Sequence, residues 1–396
     1  MHETSDIVII GAGVNGASLA YHLALVGVRR IVVLEKQVVA AGATGLSSGL
    51  VRMHYTNEVE ARLALSSYSY FTNWADIVGG DCGFVETGFI RTVAPQNTEK
   101  LCANVAMLQR IGVDTRLISP DELRELTPGI ATGDLLLAAY EPHSGYADPT
   151  ATALSLLNAA RRKGVVLQQG VQVLGFVRHG TQVVGVQTTM GVIEAGVVIC
   201  AAGGWTMHLL EELGLHFPVW NVRHQVAMLQ RPPEQQTHMT CIDGVLDAYY
   251  RPDSPGLTLV GSGPMETIAD PDSFEHNTDA SFVEAVAEKI SSRMPAMEEA
   301  SIVRGWAGSF AVSADLHPLI GPLPGFDNLY AIFGCNGTGF KVAPAVGKAL
   351  AEQIMGVSEP EICITSLRPA RYFEHATIAD RYTYSDRPQD HTEPPK

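Results

Sequence analysis

The sequence predicts an α/β fold in which a doubly wound, largely parallel sheet is interleaved with a second, largely antiparallel sheet. Three stretches carry this prediction: a strand–glycine turn–helix–strand unit at the N-terminus, a buried strand that runs into Gly203 and Gly204, and a strand–glycine turn–helix unit around residue 335. Parallel strands are covered on both faces, so near-continuous apolar runs that end in glycine turns are their expected signature.

The N-terminal unit has the pattern of a Rossmann-like dinucleotide site. An apolar run over residues 6–10 precedes Gly-Ala-Gly-Val-Asn-Gly at 11–16, an apolar helix over 17–26 and a second apolar run that ends on Glu35. The first glycine allows a tight turn, the second lets the backbone approach a pyrophosphate, and the third lets helix and strand pack closely. The helix N-terminus attracts phosphates, and Glu35 can accept hydrogen bonds from a ribose. This motif alone does not separate NAD from FAD.

Composition excludes several classes of protein. The chain has 396 residues, is 46% apolar and carries a net charge of −15, which favours two domains and disfavours nucleic-acid or anionic-membrane partners. The six cysteines lie far apart without metal-ligand spacing, so reduced thiols and no metal site are expected. No apolar stretch has membrane-spanning length and no signal peptide precedes the first strand, so we predict a cytoplasmic protein.

Residues 40–55 are rich in small and hydroxyl side chains and are suited to run along a long ligand. Arg52 stands out there, because a cation among small and apolar residues usually has an anionic partner. The sequence leaves open whether that partner is a structural carboxylate or the carboxylate of a substrate.

The middle of the chain predicts further helices and strands. Helices are expected over 58–74, 99–111, 150–163 and 279–293, with a capping box at Ser119 and a cap at Asp279; strands are expected over 84–93, 135–140, 165–177, 183–195, 197–202 and 302–310. The broken β-pattern of 217–263 indicates the antiparallel domain. His224, Tyr249 and Tyr250 are pocket candidates there, although each residue type is more often a packed sheet residue.

The C-terminal unit combines a strand over 328–333, the loop Gly-Cys-Asn-Gly-Thr-Gly-Phe-Lys at 334–341 and a helix over 343–355. Its helix N-terminus suits a flavin ring, because reduction places negative charge on the N1–C2=O edge of the flavin. Beyond residue 369 the tail is polar, and we expect it to be loosely held.

Taken together, the pattern resembles the FAD-dependent amine and amino-acid oxidoreductases, the group of monomeric sarcosine oxidase, glycine oxidase and D-amino acid oxidase. The resemblance extends to about residue 365 and rests on 11–35, the Ala-Ala-Gly-Gly-Trp turn at 201–205, and the set formed by Trp306, 316–321 and 334–341. It implies an FAD-binding domain over 1–85, 145–216 and 320–368, a substrate domain over 86–144 and 217–319, and a polar tail over 369–396.

The resemblance also implies a set of cofactor-binding residues, with Val173 as a backbone contact to adenine. The set is Gly11, Gly13, Val14, Asn15, Gly16, Glu35, Lys36, Gly42, Thr44, Ser47, Ser48, Gly49, Val173, Ala202, Gly203, Trp205, Gly308, Gly334, Asn336, Gly337, Thr338, Gly339 and Lys341. Monomeric sarcosine oxidase attaches its flavin through a cysteine, and residues 306–310 contain none, so non-covalent FAD is expected.

The implied reaction is oxidation of a secondary or N-methyl amine or amino acid by hydride transfer to FAD, giving an imine that hydrolyses. Arg52 and Lys341 occupy the positions that grip the substrate carboxylate in the sarcosine oxidase branch, and His54, His224, Tyr249 and Tyr250 are further pocket residues. Ser309 follows Trp306-Ala307-Gly308 where D-amino acid oxidase has an arginine, which disfavours that assignment.

The electron acceptor and two alternative functions stay open. The electron acceptor is O2 or another carrier. The oxygen-activating lysine of monomeric sarcosine oxidase would fall near Thr258, and no lysine lies between Lys163 and Lys289. Oxygen is therefore expected to be a poor acceptor, with a quinone, an electron-transfer flavoprotein or a partner subunit in its place. The alternatives are an FAD-dependent 2-hydroxy-acid or polyol-phosphate dehydrogenase and the flavin subunit of a multi-subunit amine dehydrogenase. An NAD(P)-dependent dehydrogenase is disfavoured, because the C-terminal glycine loop would then have no purpose.

Overall fold

A computed structural model describes residues 3–235, 237–263 and 265–384. The helices are α1 (Val14–Leu25), α2 (Glu58–Thr72), α3 (Trp74–Ile77), α4 (Thr98–Arg110), α5 (Pro120–Leu126), α6 (Pro149–Arg162), α7 (Thr206–Glu211), α8 (Ala280–Arg293) and α9 (Gly339–Ile354). The strands are β1 (Glu3–Ile10), β2 (Ile31–Glu35), β3 (Leu50–Val51), β4 (Val85–Glu86), β5 (Phe89–Thr92), β6 (Arg116–Ile118), β7 (Ala138–Glu141), β8 (Gly145–Tyr146), β9 (Val166–Gln169), β10 (Val173–His179), β11 (Gln182–Thr188), β12 (Gly191–Cys200), β13 (Val219–Gln230), β14 (Thr240–Asp243), β15 (Ala248–Asp253), β16 (Leu257–Ser262), β17 (Glu266–Ile268), β18 (Ser301–Ser313), β19 (Leu319–Pro322) and β20 (Leu329–Phe333).

The first sheet has the strand order β10-β11-β12-β1-β2-β9, and β20 joins the last residues of β12 in parallel. Strands β1, β2, β9, β12 and β20 run parallel, whereas β10, β11 and β19 pair antiparallel. In β1 and β2, Ile7, Ile9, Ile31 and Val33 belong to the core that also contains residues of α1, α6 and α9. Val8, Ile10, Val32 and Leu34 of the same strands belong to the core on the opposite face. Burial on both faces explains their continuous apolar sequences, and the predicted α/β class is confirmed.

The second sheet has the order β17-β13-β16-β15-β14-β5-β7-β6, and β18 pairs with β13 along most of its length. All its pairings are antiparallel except that of β14 with β5. A small third sheet has the strand order β3-β8-β4. The exact domain boundaries named above stay a prediction.

Two local capping predictions have different outcomes. Ser119 and Glu122 form the predicted capping box at the start of α5. The prediction for Asp279 is wrong, because its side chain makes no cap bond in α8 and pairs instead with the guanidinium of Arg223 and the amide of Gln225. A buried arginine requires a counter-charge, and that need outweighs the cap.

The prediction that the chain is loosely held beyond residue 369 is wrong for residues 369–384. Arg371 and Asp315 are both 0% exposed and form an ion pair of 2.7 Å. Further along, Asp380 accepts hydrogen bonds from Thr56 and Asn57 at the start of α2. Residues 385–396, the rest of the predicted tail, lie outside the described residues.

In the part of the chain that the structure describes, no helix combines the length and the apolar character needed to cross a bilayer. The predicted cytoplasmic location stays a prediction.

Candidate functional site

Both glycine turns open into one cavity of about 360 Å³, between the first sheet and the near end of the second. Most predicted cofactor and pocket residues line this cavity: Gly11, Gly13, Val14, Asn15, Glu35, Lys36, Gly42, Thr44, Ser47, Ser48, Val173, Ala202, Gly203, Trp205, His224, Tyr249, Gly308, Gly334, Gly337 and Gly339. The turns lie at opposite ends of the chain, so the shared cavity fits one extended ligand.

The N-terminus of α1 forms the narrow middle of the cavity. Gly11 has φ +103°, and a Cβ there would lie 2.5 Å from the carbonyl oxygen of Ala201. A Cβ on Gly13 would lie 3.1 Å from Thr44 Oγ1, and the same hydroxyl accepts a hydrogen bond of 3.1 Å from the backbone N–H of Val14. A positive helix terminus without side-chain bulk fits a pyrophosphate.

The end of the cavity near β2 has the features of a nucleoside site. Glu35 is fixed by hydrogen bonds of 2.9 Å that its two carboxylate oxygens accept from the backbone N–H groups of Ala12 and Gln37. Each carboxylate oxygen keeps acceptor capacity for a ribose hydroxyl. Val173 lines the cavity as well, and its backbone contact to adenine stays a prediction.

Lys36 and Trp205 also lie at this end, and they are joined by a residue that the sequence did not indicate. Asp272 lies 2.6 Å from Lys36 Nζ and accepts a 2.8 Å hydrogen bond from Trp205 Nε1, while the Lys36 ammonium sits 3.9 Å from the Trp205 ring centroid. Burial raises the pKa of Asp272, but Lys36 and Trp205 outweigh it and hold that pKa below the usual value. Asp272 is far away in the sequence and belongs to no motif, so sequence reasoning had no signal for it.

The opposite end of the cavity lies at the N-terminus of α9. Gly334, Gly337 and Gly339 line it, and a Cβ on Gly337 would contact the ring of Phe310 at 3.4 Å. Phe310, Ser309 and Cys335 line the cavity as well, although the sequence reasoning did not select them. A helix N-terminus in contact with a flat, aromatic-walled space fits a flavin ring whose edge becomes negative on reduction.

The predicted cofactor residues Gly16, Gly49, Asn336, Thr338 and Lys341 do not line the cavity. Gly16 acts in helix packing, since a Cβ there would lie 2.1 Å from the Gly11 carbonyl oxygen. Gly49 has φ +69° and supports the turn into α6. Asn336 bonds the backbone of Ser313 and Gly334, and Thr338 Oγ1 donates to the Cys335 carbonyl, so both stabilise the loop around the cavity.

Two predicted pocket residues form a hydrogen-bonded pair in the cavity wall. His224 Nε2 lies 3.1 Å from Tyr249 Oη, and Phe310 packs edge-on against the imidazole. Burial lowers the pKa of His224 to about 4 and raises the pKa of Tyr249. The imidazole is therefore neutral, and its buried Nδ1 has no hydrogen-bond partner among the described residues.

The prediction that Tyr250 lines the pocket is wrong. Successive strand residues point to opposite faces, so Tyr250 lies in the core behind β15 with Ile90 and Val260, while Tyr249 faces the cavity. Thr258 also lies behind the sheet, where its hydroxyl bonds His238 Nε2 at 2.8 Å. The position expected for an oxygen-activating lysine therefore does not face the cavity.

Arg52, His54 and Lys341 form a cluster beside the α9 end of the cavity without lining it. The Arg52 guanidinium donates to the His54 carbonyl and lies 4.7 Å from the Tyr55 ring centroid. Lys341 Nζ is 3.4 Å from the Thr338 carbonyl, and its pKa is lowered by burial first and by Arg52 second. His54 Nε2 lies 2.8 Å from Tyr384 Oη, and burial lowers the pKa of His54.

These features define a flavin-dependent oxidoreductase class, and comparisons with known proteins agree. The family description "FAD dependent oxidoreductase" matches residues 6–353. Mitochondrial dimethylglycine dehydrogenase from Rattus norvegicus is 27% identical over 395 residues, which cover 95% of this chain and 46% of that protein. Sarcosine oxidase subunit beta from Arthrobacter sp is 26% identical over 363 residues, covering 89% of this chain and 87% of that subunit.

Among solved structures, the L-proline dehydrogenase from P. horikoshii superposes with a TM-score of 0.87 at 25% identity, over 95% of this chain and 99% of that one. The chain belongs to the FAD-dependent oxidoreductase family, and its cofactor is FAD. The resemblance inferred from the three glycine-containing elements is thereby confirmed. The chain spans about half the length of the dimethylglycine dehydrogenase that it matches, 46%.

Proposed function

We propose that this protein oxidises a secondary or N-methyl amino acid at the carbon next to nitrogen. The observation that carries the proposal is the pair of unbalanced cations, Arg52 and Lys341, beside the flavin end of the cavity. Neither has a carboxylate within 4.0 Å among the described residues, and Lys341 is only 5% exposed. A substrate carboxylate would supply the missing counter-charge.

The residues around this end divide into two tasks. Arg52 and Lys341 bind and orient the carboxylate, which fixes the position of the neighbouring carbon. The neutral His224–Tyr249 pair offers uncharged hydrogen-bonding groups to the nitrogen, so no fixed cation opposes an amine at that side. Bound FAD supplies the electron-accepting ring, and the chain itself needs few acids or bases.

The names of the similar proteins support the same substrate class. Dimethylglycine, sarcosine and L-proline are amino acids whose nitrogen carries carbon substituents.

The test is anaerobic titration of the purified flavoprotein, followed by flavin absorbance, with sarcosine, proline, simple amines and 2-hydroxy acids. We expect N-substituted amino acids to bleach the flavin. Arg52→Met should raise the apparent dissociation constant of carboxylate substrates about 10- to 100-fold, as expected for loss of one charge-assisted hydrogen bond. The exposed Arg178 provides the control variant Arg178→Met.

Two outcomes would contradict the proposal. Bleaching by 2-hydroxy acids but not by amines would favour the alternative dehydrogenase. An unchanged dissociation constant in Arg52→Met would remove this residue from carboxylate binding, provided that the variant retains its flavin.

The acceptor of the electrons forms a further part of the proposal. Lys36 is the only lysine among the described residues that line the cavity, and it lies at the nucleoside end. A fixed cation near the flavin ring favours reaction with oxygen, because it stabilises a superoxide-like state. Arg52 and Lys341 lie beside the flavin end, but we assign them to the substrate carboxylate, so we infer that a carrier other than O2, such as a quinone or a partner subunit, accepts the electrons.

A further inference from the structure

A third cation, Arg91, belongs to the cluster of Arg52 and Lys341, and nothing in the sequence pattern indicated it. Arg91 lies on β5, paired in register with Ile242 of β14, which is in turn paired with Tyr249 of β15. Residues paired across strands point to the same face, so Arg91 and Tyr249 share the face that forms the cavity wall. Two strand spacings separate their backbones, roughly 10 Å.

The other interior arginines of the described chain contrast with this cluster. Each of the four most buried arginines has a carboxylate within 3.1 Å, in the pairs Arg223–Asp279, Arg251–Asp253, Arg293–Asp243 and Arg371–Asp315. Within residues 3–235, 237–263 and 265–384, no carboxylate lies within 4.0 Å of Arg52, Arg91 or Lys341. The three cations of this cluster therefore lack the carboxylate partner that each of the four most buried arginines has.

Three buried acids whose charges act on this cluster, Asp243, Glu141 and Glu60, are bonded elsewhere. Glu60 Oε2 lies 2.6 Å from His317 Nδ1. Both carboxylate oxygens of Asp243 bond Arg293, on the opposite face of the sheet from Arg91. Glu141 Oε2 accepts from the Met53 N–H and from Ser144 Oγ, and burial raises the pKa of Glu141 although Arg52 opposes this. None of the three forms an ion pair with Arg52, Arg91 or Lys341.

Aromatic rings enclose the cluster and reduce its contact with water. The Arg91 guanidinium lies 4.8 Å from the Tyr384 ring centroid, and Arg52 lies 5.9 Å from the ring of Phe89, two residues before Arg91. His54 connects the two arginines, because its imidazole bonds and stacks on Tyr384 while its carbonyl accepts from Arg52. Burial lowers the pKa of Arg91, and Arg52 lowers it further against the opposing effect of Tyr384.

We propose that Arg91 binds a second carboxylate of the substrate, so that the preferred substrate is an N-substituted amino acid with an acidic side chain. Arg52 and Lys341 would take the carboxylate next to the reacting carbon, and Arg91 would take the one on the side chain. A guanidinium presents paired N–H donors to both oxygens of a carboxylate, which gives charge and shape selectivity together. This inference rests on the proposed amino-acid oxidation.

The experiment compares N-methyl-glutamate with N-methyl-glutamine, which has nearly the same shape but no side-chain charge, and with sarcosine. Dissociation constants come from anaerobic titration of the flavin absorbance in the holoenzyme and in Arg91→Met, Arg91→Lys and the exposed control Arg178→Met. The unreactive dicarboxylate glutarate and the monocarboxylate butyrate, titrated by calorimetry, give a binding readout that is independent of turnover.

In the unmodified protein we expect N-methyl-glutamate to bind about 10- to 100-fold more tightly than N-methyl-glutamine. Arg91→Met should abolish this preference and weaken sarcosine binding far less than N-methyl-glutamate binding, and Arg91→Lys should retain part of the preference because it keeps the charge. Glutarate should bind more tightly than butyrate only when Arg91 is present. Retained flavin absorbance in each variant shows that the fold is intact.

Equal binding of the two N-methyl amino acids, or a preference for the acidic one that persists in Arg91→Met, would overturn the inference. In both cases bleaching by sarcosine would leave the proposed function intact. If no N-substituted amino acid bleaches the flavin, the proposed function fails, and this inference fails with it.

Discussion

Charge pairing distinguishes the structural cations of this protein from the cations that we propose bind a ligand. Arg293 is 2% exposed and bonds both Asp134 and Asp243, so its charge is balanced within the fold. Arg52 keeps a buried Nε without a partner among the described residues. Because an unbalanced interior charge is costly, its retention is better explained by an anionic ligand than by stability.

The buried pair of His317 and Glu60 predicts a pH-dependent stability. His317 Nδ1 lies 2.6 Å from Glu60 Oε2, and Asp380 lies 3.5 Å from Nε2. Burial would lower the pKa of His317, but the hydrogen bond and charge of Glu60 outweigh it and raise that pKa. A raised folded-state pKa stabilises the fold below the unfolded value, about 6.5, and this contribution is lost as pH rises through the folded value.

Chemical denaturation of the unmodified protein and of His317→Gln at about pH 6 and pH 9 checks this prediction. The stability difference should be larger at the lower pH. His375→Gln, at an exposed histidine of the same region, is the control and should show no such trend. A difference that grows with pH would contradict the assigned role of Glu60.

Adjacent residues show which features of the site could be predicted from the sequence and which could not. Tyr249 and Tyr250 must point to opposite faces of a strand, but only the register of β15 with β14 and β16 decides which one meets the cavity. Arg91 and Asp272 act through contacts between distant segments and belong to no local motif. Gly11, Gly13 and Glu35 were predictable, because strand, turn and helix are contiguous in sequence and each imposes a local requirement.

For whole helices as well, features set by neighbouring residues were predictable and features set by distant contacts were not. The capping box of α5 depends on residues three apart, and Ser119 formed it as predicted. The N-terminus of α9 was less predictable: it begins at Gly339 and places Lys341 in the first turn, earlier than the helix expected from residue 343. A glycine inside the first turn carries a weak helix propensity, so packing against the cavity loop decides the boundary.

The contact between α1 and α9 predicts a specific intolerance to added volume. A Cβ on Gly347 would lie 2.2 Å from Ser18 Oγ and 2.7 Å from the backbone carbonyl carbon of Ser18. Gly347→Ala should lower the free energy of unfolding by about 1–3 kcal/mol, the usual cost of overpacking. It should also weaken FAD binding, because both helices begin at the cavity.

Gly133→Ala is the matched control, since a Cβ there meets no atom within 4 Å. Urea denaturation and titration of the apoprotein with FAD provide the two measurements. Similar stabilities for the two variants would show that α1 and α9 can separate without cost.

On the scale of the whole molecule, the FAD cavity connects parts of the chain that are remote in sequence. Its lining comes from the first sheet, from the loop before α9 and from β13, β15 and β18 of the second sheet. One ligand in that position stabilises all of these elements together, because it binds only the arrangement in which they converge. The proposed amino-acid oxidation depends on the same arrangement of elements. This arrangement brings the flavin end of the cavity next to Arg91 on β5 and Lys341 on α9.

Residues 369–384 lie around the outside of the cluster of Arg52, Arg91 and Lys341. Arg371 attaches this segment to the rest of the fold. Its guanidinium donates hydrogen bonds to both carboxylate oxygens of Asp315, and both side chains are 0% exposed. Arg371→Met would leave Asp315 buried and unbalanced, and should lower the free energy of unfolding by about 3–5 kcal/mol. Arg368→Met, which removes a solvent-exposed pair with Glu374 in the same segment, should cost no more than about 1 kcal/mol. Thermal and chemical denaturation of both variants measure this difference. Equal losses of unfolding free energy would mean that other contacts, and not the buried pair of Arg371 and Asp315, hold the segment in place.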